Sequence, residues 1–139
     1  MPSNEVLAQL DQAVLDSVLT GRPLPGGVTP VLPDLGFIRR QPAILVAKEG
    51  LAGTLSGEAL PQPLRIVSRN DIQTAESTSD TAYLQFHNEI LSPDEISVVL
   101  EGRISSPSSG QGGLISVRVI FHQRDGKWEA AGDPAVLAE

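Results

Sequence analysis

The sequence predicts an α+β fold in one domain spanning 1–139, an N-terminal helix packed on a curved antiparallel β-sheet. Three observations predict it. Apolar residues recur at helical spacing near the start of the chain. Apolar and polar residues alternate in four runs between 81 and 131. Asp125-Gly126 stands between the last two runs, and a type I′ hairpin turn needs positive φ at both central residues. A chain of 139 residues suits one domain and can bury about 70% of its unfolded surface without a covalent staple.

The helix is predicted over 4–19. Ser3 is its N-cap, and Glu5 puts a negative charge in the first turn, where the helix dipole favours it. Val6, Leu7, Leu10, Val14, Leu15 and Val18 form the apolar stripe, with Gln9, Asp11, Gln12 and Asp16 between them. Gly21 ends the helix, and Pro23 and Pro25 prevent its return. Segment 21–36 reads as an irregular excursion anchored by Val28, Val31, Leu32 and Leu35. Segment 37–46 fits either a short strand or a helix opening at Pro42. Segment 49–59 is Gly-rich and ambiguous, 64–68 reads as a strand, and 70–80 as a polar loop.

The four-stranded meander follows. Its strands are expected at 83–90, 96–104, 114–123 and 128–131. Leu91-Ser92-Pro93-Asp94-Glu95 forms the first loop and 105–113 a flexible second one. Ile90 is placed opposite Ile96, Ile104 opposite Ile115, and Arg124 opposite Lys127. Leu84, Phe86, Val98, Leu100, Val117, Val119 and Phe121 then point inward, with Asn88 the one clear polar exception. On the outer face this register sets Glu101 beside Arg118 and His122 beside Glu129. Between those rows lies a third, of His87, Val99, Ile120 and Ala131.

Composition narrows the function classes. Net charge is −7, which argues against nucleic acid and anionic membrane as partners, since both need a basic footprint. There is no cysteine, so thiol catalysis, thiolate metal sites and disulfides are excluded. No apolar run approaches the ~20 residues of a membrane span. The N-terminal stretch lacks the order of a signal peptide, so the chain is expected in the cytoplasm, or as a mature domain from a longer precursor. Aromatic residues are 4% of the chain, so its core must be mostly aliphatic.

No motif carries a reaction. His87 and His122 lie on different strands, too far apart for a shared metal, and each reads as a surface histidine beside carboxylates. Ser56 lacks the G-x-S-x-G frame of a nucleophile elbow. Gly50-Leu51-Ala52-Gly53 and Gly110-Gln111-Gly112-Gly113 lack the Gly-Lys-Ser/Thr of a phosphate loop and read as turns. Arg39 and Arg40 are a basic pair that a carboxylate or phosphate could use, but surface charge explains them as well. No catalytic residue, metal ligand or cofactor is expected.

A long N-terminal helix and a closing hairpin running Ile120-Phe121-His122-Gln123-Arg124-Asp125-Gly126-Lys127-Trp128-Glu129 resemble the cystatin-like α+β roll of the nuclear transport factor 2-like (NTF2-like) superfamily. The resemblance covers the helix and 64–131. It implies a cone-shaped interior, which in catalytic members holds an Asp-His or Tyr-Asp pair. It also implies sheet-to-sheet dimers. Such folds serve isomerases, dehydratases, ligand binders and interaction modules, so fold alone does not choose the function.

The inward face of the meander offers no acid or base. The expected function is therefore that of a non-catalytic protein acting through protein–protein contact. The alternative is a small-molecule binder or enzyme with an apolar pocket between helix and sheet. A homodimer is expected through the outer sheet face, at a patch of Val99, Ile120 and Ala131 with Tyr83, Leu114 and His87 beside it. Glu101, Arg118 and Glu129 supply the polar rim.

Overall fold

The computed structural model describes residues 3–28, 38, 41–51, 53, 55–58, 60, 62–68, 70–71, 81–106, 110–132 and 135–138, with the side chains of 105–106, 110–114 and 137–138 left out. One N-terminal helix lies on a curved, unclosed and mostly antiparallel sheet, an α+β arrangement. In chain order the elements are α1 (Asn4–Thr20), β1 (Ile44–Ala47), β2 (Leu64–Val67), β3 (Thr81–Ser92), β4 (Glu95–Ser106), β5 (Gly110–Arg124), β6 (Lys127–Ala130) and β7 (Ala135–Ala138).

Helix α1 begins and ends where its capping chemistry sets it. The Ser3 hydroxyl accepts from the Val6 N–H, and Gly21 closes the helix at φ 81° while its N–H donates to the Ser17 carbonyl. The apolar stripe packs into one core with the sheet. Val14 and Leu15 are fully buried, together with Leu84, Phe86, Val98 and Phe121. Part of α1 away from the stripe is covered as well. Asp11, Asp16 and Ser17 are all buried. The Gln12 amide donates to the Ser56 carbonyl at 2.9 Å and accepts from the Ser56 N–H at 2.6 Å. That pair of bonds lays the connection between β1 and β2 against the helix.

The sheet runs β2-β1-β3-β4-β5, and β5 carries β6 and β7 one after the other on its side away from β4. Strand β1 decides the open choice after Pro42 in favour of a strand. Ile44 and Val46 face the main core, while Ala47 packs with Tyr83 on the opposite face, with Leu45 beside them. A segment buried on both faces suits a central strand better than an amphipathic helix. It pairs in parallel with β2, Ile44 opposite Leu64, and in parallel with β3 at Val46 and Leu84. Gln41 fastens the start of β3, donating to the Ala82 carbonyl at 2.8 Å and accepting from the Ala82 N–H at 2.7 Å.

Two of the three expected pairings stand. Ile90 faces Ile96, and Arg124 faces Lys127 across a turn with Asp125 at φ 54° and Gly126 at φ 78°. The third is corrected. Ile115 faces Gly102 rather than Ile104, so β4 and β5 are slipped by two residues from the expected register. Nearer the loop the register breaks between Gly102 and Arg103, and the pairing steps over Leu114. An even slip keeps every side chain on its expected face. It does change the rows on the outer face: His87, Val99, Arg118 and Ala135 form one, and Glu89, Ser97, Ile120 and Ala131 the next. The expected loop at 105–113 is also shorter than predicted, because paired strand continues through Ser106 and from Gly110. Strand β7 was not expected.

Candidate functional site

Two places hold polar chemistry that the bare alternation of the strands did not suggest. The first lies between helix and sheet. Asp11 is fully buried on α1, and the Asn88 amide of β3 donates to its Oδ2 at 3.1 Å. Asn88 was legible as the polar break in an apolar face. Asp11 was not, because its helical position placed it outside the apolar stripe. A buried carboxylate is costly and is tolerated where hydrogen bonds hold it. The helix thus supplies the acid that the inward face of the meander lacks. The concavities lined by Ile120 and Ala131, by Ala8 and Leu55, by Leu10 and Trp128, and by His122 and Arg124 include neither Asp11 nor Asn88.

The second place is the outer face of β3 and β4. Side chains two apart on a strand share a face, and diagonal neighbours on adjacent strands are within reach of long side chains. Glu101 uses both relations. Its Oε2 accepts from Arg103 Nη1 at 2.8 Å, and its Oε1 lies 2.5 Å from His87 Nε2. Arg103 in turn hydrogen-bonds Tyr83, its cross-strand neighbour. Burial works against the charge on Arg103, but the Tyr83 hydroxyl and the Glu101 carboxylate outweigh it, so its pKa stands above the ordinary arginine value. The result is a connected line, Tyr83–Arg103–Glu101–His87, with a fully buried inner end and an exposed imidazole. Gln85 lies within it, opposite Glu101. Its amide donates to the Glu49 and Phe86 carbonyls, while its Oε1 is buried without a hydrogen-bond partner among the described residues.

The expected patch is rearranged by these facts. Tyr83 is fully buried beside Ala47, so it offers no exposed surface. Its aromatic character in a polar-looking stretch gave no warning of this, because what covers it comes from elsewhere in the chain. Val99 and Ile120 are half-buried and stand diagonally, since Arg118 rather than Ile120 faces Val99. His87 is exposed but committed to Glu101. Leu114 belongs to β5, and its side chain lies outside those described. The expected Glu101–Arg118 pair does not form. Arg118 is exposed, and its Nε donates to the Ser97 hydroxyl at 3.1 Å. His122 and Glu129 do face each other but make no ion pair.

What remains is a shallow concavity of about 420 Å³ on the outer face, lined by Arg118, Ile120, Ala131, Gly132 and Ala135. It joins half-buried Ile120 and exposed Ala131 and Ala135 to one held guanidinium. Other expected features have local explanations. Gly50 has φ 88° and sits against the Phe86 carbonyl, which accounts for a glycine there without a phosphate. Arg39 and Arg40 lie outside the described residues. Among the described residues no three His, Asp or Glu side chains come together as a metal site, and no helix is long and apolar enough to cross a membrane.

Fold and surface together define an α+β protein with an apolar core between helix and sheet and a mixed apolar and charged outer sheet face. Compared with protein-family models, with curated proteins and with solved structures, the chain matches none.

Proposed function

We propose that this chain is a non-catalytic α+β protein that acts by protein–protein contact, and that the outer face of its sheet joins it to a second copy. The observation that carries the reading is the concavity on that face, where Ile120, Ala131 and Ala135 lie beside Arg118. An apolar centre with a charged margin is the anatomy of an association site. The helix–sheet interior supports the same reading, being occupied by Val14, Leu15, Leu84, Phe86, Val98 and Phe121.

One further expectation belongs to this proposal. The NTF2-like relationship is supported by the capped helix and by the order of the antiparallel hairpins, although the parallel arm of β1 and β2 was no part of that resemblance.

Light scattering at micromolar concentration tests the contact. The wild type is expected at twice the monomer mass. Ile120→Arg places a charge in the apolar centre and is expected to return the monomer. A dimer that persists in Ile120→Arg would put the contact on another surface. A specific contact on this face must bury about 1,000 Å² or more in total.

A further inference from the structure

We draw no further inference here: the strongest candidate, the exposed apolar patch of Ile90 and Leu91 at the end of the β3–β4 hairpin, carries none because nothing in the structure shows what covers it.

Discussion

Replacing Phe121 with alanine is expected to destabilise the protein by about 3–5 kcal/mol, read from denaturant unfolding as a fall in the midpoint at unchanged slope. Phe121 is fully buried on β5, between Ile96 of β4 and Ala130 of β6. It belongs to the same core as Leu10, Val14 and Val18 of α1. With three phenylalanines in the chain, few side chains of this volume are at hand to close the space it leaves. The lost transfer free energy and the cavity therefore add. A loss below about 1 kcal/mol would place Phe121 outside the core and undo the packing of helix on sheet.

Gly50→Ala is the second large effect, expected at about 2–4 kcal/mol from two sources. The backbone at Gly50 has φ 88°, a conformation that side chains strain. A Cβ there would also run into the Phe86 carbonyl of β3, with the Gln85 amide nitrogen 2.9 Å away. Relief requires the turn to lift from β3, which breaks the bond from the Gln85 amide to the Glu49 carbonyl. Gly27→Ala is the control. Its φ is 78°, and the added Cβ would meet nothing within 4 Å. Strain alone is expected there, about 1–2 kcal/mol. Equal losses at the two positions would mean that the turn does not lie against β3.

Much of the fold was legible because local chemistry specified it. Ser3 and Gly21 mark the helix ends through the backbone groups they satisfy. Asp125-Gly126 fixes the last hairpin because few other dipeptides take positive φ twice. The slip between β4 and β5 was not legible, for a definite reason. Moving a strand by two residues leaves the inward set of Val98, Leu100, Val117, Val119 and Phe121 inward, so the hydrophobic pattern is silent about it. The Ser- and Gly-rich connection imposes no turn geometry that could have settled the register.

The same limit explains the site. Paired charges inferred from the wrong rung, Glu101 with Arg118, are replaced by Glu101 with His87 and Arg103. The burial of Asp11 and Tyr83 depends on chain segments that cross over from elsewhere, which periodicity along one element does not report. The glutamines Gln12, Gln41 and Gln85 fasten irregular connections by backbone-like bonds. In sequence they are indistinguishable from ordinary surface residues.

The absence of cysteine makes the decisive measurement direct. A single cysteine introduced as Val99→Cys sits on the outer face of β4, and Gln9→Cys on the exposed side of α1 serves as its counterpart. Each variant is oxidised at micromolar protein, and disulfide-linked dimer is followed by non-reducing electrophoresis. Self-association through the outer face predicts rapid cross-linking of Val99→Cys and little of Gln9→Cys. No cross-link at position 99, or one no faster than at position 9, would contradict it.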